Sequence, residues 1–162
     1  MYLLRISILC VGKIKEKYFS DAIAEYSKRL SRYCTLEIIE VQDEKTPDGA
    51  GAAIEQKIKE KEGERLLSKF KDGCYYIALA IKGKKLSSEE LASKIDGLGT
   101  SGVGHIGFVI GGSLGLSDEV LKKCDMQLSF SDMTFPHQLM RVILLEQIYR
   151  SYRILSGEPY HK

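Results

Sequence analysis

The sequence contains no apolar run long enough to cross a membrane. It has 162 residues, of which 44% are hydrophobic and 28% are charged, and no segment approaches the roughly 20 apolar residues of a membrane span. Residues 1–11 are apolar, but Arg5 interrupts them and they lack a small-residue cleavage site, which favours a strand over a signal peptide. We therefore expect a cytoplasmic protein that does not bind membranes and forms one domain over residues 1–162.

Paired cysteines and a strong charge excess are also missing. The four cysteines are widely spaced and form no C-x-x-C pair, which argues against a zinc knuckle or a redox motif: Cys10, Cys34, Cys74 and Cys124. We expect reduced, buried thiols and no metal site. The formal net charge is only +2, although 24 Lys and Arg are present. This charge does not establish nucleic-acid binding, but a local basic surface remains possible.

The common nucleotide-binding and hydrolase motifs are absent or misplaced. No P-loop sequence occurs, and no Ser-His-Asp set has a known spacing. Residues 102–107 match G-x-G-x-x-G, but a dinucleotide fingerprint must follow a strand and open a helix. These glycines precede a predicted strand, so the sequence argues against a nicotinamide-binding enzyme.

Hydrophobic periodicity predicts alternating strands and helices. The strands are expected at residues 3–11, 36–41, 74–81, 105–110 and 126–130, and the helices at residues 17–33, 52–70, 87–98, 117–123 and 136–155. Gly63 is a candidate interruption of the second helix, whose charged residues, Glu62 among them, are expected on a solvated face. Residues 82–85 are expected to form a basic turn and residues 97–104 a glycine-rich turn. The alternation favours an α/β domain with a mostly parallel sheet and helices on both faces.

Three predicted strand ends are candidates for a common pocket. They are residues 79–83, the glycine turn at residues 111–115 and residues 130–136. In an open α/β sheet, ligands bind beside the carboxyl ends of the strands, and glycine lets the backbone approach a ligand closely. A tight turn without a ligand explains the glycines equally well.

The last predicted helix and the tail carry the polar groups best placed for chemistry. His137 and Arg141 are four residues apart and therefore share a helix face. Tyr160 and His161 are residue types that stack on an unpaired base or bind phosphate. Ordinary alternatives are a surface helix start and a frayed tail. Glu146 is either an ion-pair partner of a nearby arginine or a solvent-facing residue.

Five segments together make the sequence closely similar to one family. They are ILCVGK at residues 8–13, FVIGGSLG at 108–115, LSFSDMTFPH at 128–137, EQIYR at 146–150 and PYH at 159–161, with Arg141 between the third and the fourth. In this order they resemble the RlmH (YbeA-like) family of SPOUT-class methyltransferases, over essentially the whole chain.

The resemblance implies a SPOUT-type α/β knot, whose C-terminal part is threaded into a deep trefoil knot. It also implies a homodimer that binds S-adenosyl-L-methionine and methylates N3 of pseudouridine 1915 in 23S rRNA within the assembled ribosome. The family's cofactor-binding positions correspond here to Leu79, Gly112, Ser131, Asp132, Met133, Thr134, Phe135 and Pro136. Its positions near the methyl acceptor correspond to His137, Arg141, Tyr160 and His161.

The sequence departs from the family pattern at one position, and three other functions are alternatives to the one that the resemblance implies. Lys162 stands where some members carry Arg and one further residue, and Lys lacks the bidentate fork for phosphate. The implied chemistry needs a base for the N3 proton, and His137 and His161 are both candidates, with Arg141 in electrostatic support. The alternatives are a SPOUT enzyme acting on another RNA such as tRNA, a noncatalytic ribosome-binding factor, and, least favoured, a nicotinamide enzyme.

Overall fold

A computed structural model describes residues 3–162, so Met1 and Tyr2, where the apolar start of the chain begins, lie outside the described residues. Five strands form one parallel sheet in the order β2-β1-β4-β3-β5. The elements follow each other as β1 (Leu4–Val11), α1 (Lys17–Leu30), β2 (Cys34–Val41), α2 (Ala52–Leu67), β3 (Tyr75–Lys85), α3 (Ser88–Thr100), β4 (His105–Ile110), α4 (Asp118–Lys123), β5 (Met126–Ser129) and α5 (His137–Leu155).

Helices cover both faces of the sheet, as the alternation of elements predicts. Ile6, Ile8 and Cys10 of β1 point to the face packed by α1, α3 and α5. Leu9 and Val11 point to the opposite face, together with residues of α2 and α4. Because both faces of β1 are buried, the strand is apolar nearly throughout instead of alternating.

Strand β3 continues beyond its predicted end, so the turn expected at residues 82–85 is wrong. Leu79 and Lys84 both pair with Leu128 of β5. The four residues between them leave the ladder, and the strand then rejoins the same neighbour. A Cβ on Gly83 would stand 2.7 Å from the backbone of Gln127, so only glycine permits this close return.

Helix α2 runs through Gly63 without interruption, and Glu62 does not lie on a solvated face as expected. Glu62 is only 4% exposed. A Cβ on Gly63 would stand 2.4 Å from the Ser117 hydroxyl, so this glycine lets α2 approach the start of α4 closely. The close approach turns the Glu62 face of the helix inward.

Both predicted helix starts with a capping serine are confirmed. Ser87 and Glu90 form a reciprocal capping box at α3, and the Ser117 side chain accepts the Val120 N–H at α4. Helix α3 extends to Thr100, so the turn predicted at residues 97–104 begins only at Ser101. Helix α5 follows Pro136, as predicted.

Within residues 3–162, no helix is long and apolar enough to cross a membrane. All four cysteines are unpaired; Cys10 and Cys34 are buried, and Cys74 and Cys124 are partly buried.

Candidate active site

A cavity of about 920 Å³ opens where the bulge in β3, at which residues 80–83 leave the ladder, meets the carboxyl ends of β4 and β5. This volume is typical of small-molecule and cofactor sites. Three segments supply most of the lining: residues 79–82 from the bulge in β3, residues 110–116 at the end of β4, and, after β5, residues 130–136 except Asp132. The strand ends that the sequence placed side by side therefore do form one pocket.

The glycine turn after β4 forms one wall with little side-chain material. Gly112 and Gly115 make an isolated antiparallel bridge, and Gly115 has φ = +88°, a conformation that favours glycine. A Cβ on Gly111 would stand 2.6 Å from the Gly115 backbone. Because the turn closes on itself so tightly, its backbone groups lie directly at the cavity.

The loop after β5 is held by short-range hydrogen bonds. The Ser129 hydroxyl donates to the Ser131 carbonyl at 3.1 Å, and the Ser131 hydroxyl accepts the Met133 N–H at 3.0 Å. Of the six predicted cofactor residues in this loop, Asp132 is the one that does not line the cavity. Its carboxylate forms an exposed ion pair with Lys85 at 2.6 Å.

Most of the cavity lining is apolar, and two lysines contribute positive charge. The lysines are Lys59 from α2 and Lys82 from the bulge in β3. Lys82 belongs to the segment 79–83 that the sequence places at the pocket, but Lys59 was missed, because nothing in the local pattern distinguishes it from other surface lysines. The larger apolar side chains at the cavity are Leu79, Ile81, Ile110, Leu114, Leu116, Leu121, Leu128, Phe130, Met133, Phe135 and Met140.

His137 is the predicted catalytic residue that reaches the cavity. It is the first residue of α5 and is partly buried. Burial lowers the pKa of His137 below its ordinary value, and the positive charge of Arg141 lowers it further, although Asp43 acts in the opposite direction. The imidazole is therefore neutral at neutral pH and able to accept a proton.

Arg141 lies behind His137 and does not line the cavity. Its side chain is 2% exposed. Nη1 donates to the Glu40 carboxylate at 2.6 Å, and Nη2 donates to the Gly12 carbonyl at 3.2 Å. A Cβ on Gly12 would stand 3.9 Å from His137 Nε2, so Arg141 fixes the segment against which the imidazole packs. Arg141 is a positioning residue in this geometry.

The C-terminal tail is folded against α5 and α3, so the alternative of a frayed tail is wrong. The Tyr160 hydroxyl donates to Glu146 at 3.1 Å, and the guanidinium of Arg150 lies 4.7 Å from the centre of the Tyr160 ring. His161 contacts Glu89 through Nε2 at 2.7 Å and Arg150 through Nδ1 at 3.1 Å. Glu146 pairs with Arg150 at 2.6 Å, which resolves its role.

The tail and His137 lie at different places on α5. Helix α5 rises about 1.5 Å per residue, so the Glu146–Arg150 segment that holds the tail is roughly 14 to 20 Å from His137 along the axis. Tyr160 and His161 do not line the cavity of their own chain. One chain therefore does not bring together all four residues predicted to surround the methyl acceptor.

A buried carboxylate behind the glycine turn was also missed. The Oε1 atom of Glu62 lies 2.9 Å from the position that a Cβ on Gly112 would occupy. Burial raises the pKa of Glu62, and the Glu44 backbone N–H, which donates to Oε2 at 2.9 Å, opposes this. The signal was present in the sequence, because Glu62 lies four residues from both Ile58 and Leu66 on the buried stripe of α2.

Among residues 3–162, no cluster of three His, Cys, Asp or Glu side chains is arranged to hold a metal ion.

A parallel α/β sheet with a glycine-lined cavity at its carboxyl edge is consistent with a SPOUT-class methyltransferase. The family model described as "Predicted SPOUT methyltransferase" matches residues 4–161, and the chain belongs to this family. Within the class it is a member of the RlmH group, whose curated members are close relatives over nearly the full chain.

Two such relatives illustrate the similarity, and both carry the name "Ribosomal RNA large subunit methyltransferase H". The protein of Bifidobacterium adolescentis is 62% identical over 98% of this chain and 100% of its own length. The protein of Clostridium kluyveri is 58% identical over the same shares of the two chains.

Solved structures of distant proteins show the same fold. A probable methyltransferase from Bordetella pertussis has a TM-score of 0.58 at 13% identity, with 91% of this chain and 96% of that chain covered. A probable methylase family protein from Haemophilus influenzae has a TM-score of 0.53 at 14% identity, with 99% and 71% covered. At these identities the likeness extends to the fold alone.

Proposed function

We propose that this protein transfers a methyl group from S-adenosyl-L-methionine to N3 of pseudouridine 1915 in 23S rRNA, within the assembled ribosome and in the cytoplasm. The observation that carries the proposal is the cavity lined by the bulge in β3 and by the ends of β4 and β5, with His137 among its lining residues. The names of the full-length relatives support a large-subunit rRNA substrate.

The cavity fits this cofactor in shape and in chemistry. Its apolar lining suits an adenine ring, and the glycine turn offers backbone groups to the polar edge of the base. The buried, unpartnered Oε1 of Glu62 behind Gly112 suits a ligand that carries positive charge. We assign the binding role to Leu79, Gly112 and the loop at residues 131–136, with Asp132 acting through Lys85 and not by direct contact.

The cofactor supplies an activated methyl group, so the protein's task is to position an acceptor nitrogen and to manage its proton. His137 is neutral, partly buried and at the cavity, and it takes the N3 proton in this proposal. Arg141 holds the Gly12 segment beside His137. Its guanidinium stabilises the negative charge that develops on the nucleobase without contacting the base. His161 remains the alternative base.

The separation along α5 favours a homodimer with shared sites. Tyr160 and His161 lie too far from the cavity of their own chain to reach a base held at His137 without unfolding from α5. We propose that the tail of one subunit completes the cavity of its partner. The tail then presents the nucleobase, and His137 and the donor come from the other subunit.

Weak charge favours the ribosome over free RNA as the substrate. A formal net charge of +2 gives little long-range attraction for phosphate, although Lys59 and Lys82 place positive charge at the cavity. We expect efficient methylation of assembled ribosomes and poor methylation of a short hairpin. Efficient methylation of the free hairpin would contradict this part of the proposal.

The proposal also covers the fold. We propose that residues 1–162 form one domain whose C-terminal part is threaded into a trefoil knot. A knot is rare among protein folds and follows here from the family alone. An experimental density map that traces residues 75–155 decides whether the chain is threaded.

The decisive experiment compares 23S rRNA and tRNA from cells that lack this protein with the same RNAs from cells that carry it. Mass spectrometry should find one methyl group missing, at pseudouridine 1915, and plasmid-encoded protein should restore it. A methyl group missing from tRNA instead would establish the alternative substrate. No change, together with no calorimetric binding of S-adenosyl-L-methionine, would favour a noncatalytic ribosome-binding factor.

A further inference from the structure

Glu62 is a buried carboxylate that forms no ion pair with any side chain of residues 3–162. Its side chain accepts one hydrogen bond, from the Glu44 backbone, and no group in residues 3–162 donates to Oε1. Arg65 is the cation whose charge acts on Glu62, but its guanidinium donates to the Gln42 carbonyl at 2.9 Å and to Glu44 at 3.1 Å. Asp43 and Glu44 add further negative charge around Glu62. An arrangement of this kind is costly unless a positive charge binds nearby.

The unpartnered oxygen faces the wall of the cavity. Gly112 lines the cavity, and Glu62 Oε1 lies on the side where a Cβ of Gly112 would stand, 2.9 Å from that position. One glycine residue therefore lies between the carboxylate and the ligand space. In such a water-poor setting, a charge acts on its neighbours more strongly than it does in bulk water.

We propose that the Glu62 carboxylate is the counter-charge for the sulfonium of S-adenosyl-L-methionine and makes the cavity prefer the donor over the demethylated product. This inference rests on the proposed function. During transfer the S–CH3 bond breaks with its electron pair left on sulfur, the N3–CH3 bond forms, and the N3 proton passes to the base. Sulfur thereby loses its positive charge, so the attraction to Glu62 ends and product release becomes easier.

Isothermal titration calorimetry with Glu62→Gln tests this role. The substitution keeps the shape of the side chain and removes its charge. We expect the dissociation constant for S-adenosyl-L-methionine to rise about fivefold to tenfold, and that for S-adenosylhomocysteine to change less than about twofold. Glu64→Gln is the matched control, because Glu64 lies on the same helix but is exposed. It should leave both constants unchanged.

Equal weakening of both ligands by Glu62→Gln would show a structural role only and would overturn the inference, as would unchanged binding of both. Wild-type protein that binds neither ligand would instead contradict the proposed function. If the variant fails to fold, sinefungin provides a test on the wild type, since it carries a protonated amine near the position of the sulfonium. Binding weaker than that of S-adenosylhomocysteine would then overturn the inference.

Discussion

Gly111 occupies a position where even one methyl group does not fit. The Cβ of an alanine there would stand 2.6 Å from the Gly115 carbonyl carbon, a contact that side chains essentially never make. Because the obstacle is backbone and not the end of a flexible side chain, the turn itself must move. The shape of the cavity wall therefore depends on the absence of a side chain at this residue.

We expect Gly111→Ala to weaken binding of S-adenosyl-L-methionine by at least about tenfold, because the displaced turn no longer fits the ligand. Calorimetry measures the effect. Gly97→Ala is the control, since Gly97 lies within α3 with open space at its Cβ. It should leave binding intact and stabilise the fold by about 0.5–1 kcal/mol. Unaltered binding in Gly111→Ala would remove the turn from the site.

The protonation state of His137 sets a second expectation at this scale. Burial first, and then the charge of Arg141, lowers its pKa from the ordinary value of 6.5. In the proposed mechanism the neutral imidazole accepts the proton, so kcat/KM should be constant at neutral pH and should fall only as the pH drops through this lowered pKa.

Asp43→Asn sharpens this measurement. The Asp43 carboxylate raises the pKa of His137, so removing its charge should move the acid limb of the profile to still lower pH. The same direction is expected for the ring protons of His137 in an NMR titration. An acid limb above pH 6.5 would exclude His137 as the base.

The ionisation of Glu62 should make the stability of the fold depend on pH. Burial raises its pKa in the folded state above 4.5. Its contribution to stability is therefore fully present below the unfolded pKa and is lost as the pH rises through the folded pKa. Glu62→Gln should melt at a higher temperature than the wild type at pH 7 and at the same temperature near pH 4. A variant that is less stable at pH 7 would show that Glu62 is better satisfied than its contacts indicate.

The helices and strands could be predicted where residues close in sequence determine them. The two capping serines and the apolar runs placed most element boundaries within a few residues. Glu62 and the bulge in β3 were not predicted, because each depends on a partner distant in sequence: Gly112 for Glu62, and Leu128 for the bulge. The i, i+4 spacing of Glu62 with Ile58 and Leu66 predicts a buried position, whereas its charge predicts an exposed one, and the spacing is the signal that agrees with the structure.

The capping box of α3 provides a prediction for one element. Ser87→Ala removes the side chain that accepts the Glu90 N–H and should cost about 1 kcal/mol, or a decrease of about 2–4 °C in Tm. Ser93→Ala is the control, because Ser93 is exposed within the same helix and alanine is the better helix former there. Thermal unfolding followed by circular dichroism compares the two. Equal melting temperatures would mean that packing alone fixes the start of α3.

At the scale of the whole molecule, the position of the pocket was predictable from the sequence. The separation of Tyr160 and His161 from that pocket was not. The order of parallel strands brings three strand ends to one edge, and turn residues in the sequence mark each of them. The sequence cannot show that the tail binds to α5 about 14 to 20 Å from His137, because that distance follows from the packing of Tyr160 against Tyr149 and Arg150.

Mixing two inactive variants tests the shared site. In the proposed homodimer, where His137 takes the proton and His161 helps to present the base, His137→Ala and His161→Ala should each be inactive. A mixed dimer of the two contains one intact site if the tail acts across the interface. After the subunits are exchanged at equal amounts, methylation should recover to roughly a quarter of the wild-type rate. No recovery, with exchange verified by native mass spectrometry, would place both residues in the site of one chain.

The excursion of residues 80–83 from the sheet leaves Leu79 and Lys84 opposite the same partner, Leu128. The rim of the pocket that carries Ile81 and Lys82 is therefore independent of the strand alignment that holds the core together. We expect residues 80–82 to tolerate insertion or deletion while the ladder on either side keeps its pairing, whereas Gly83 must stay because it packs against the Gln127 backbone. Substrate preference at this rim is open to change by insertion or deletion, without the loss of core packing that such changes cause within a strand.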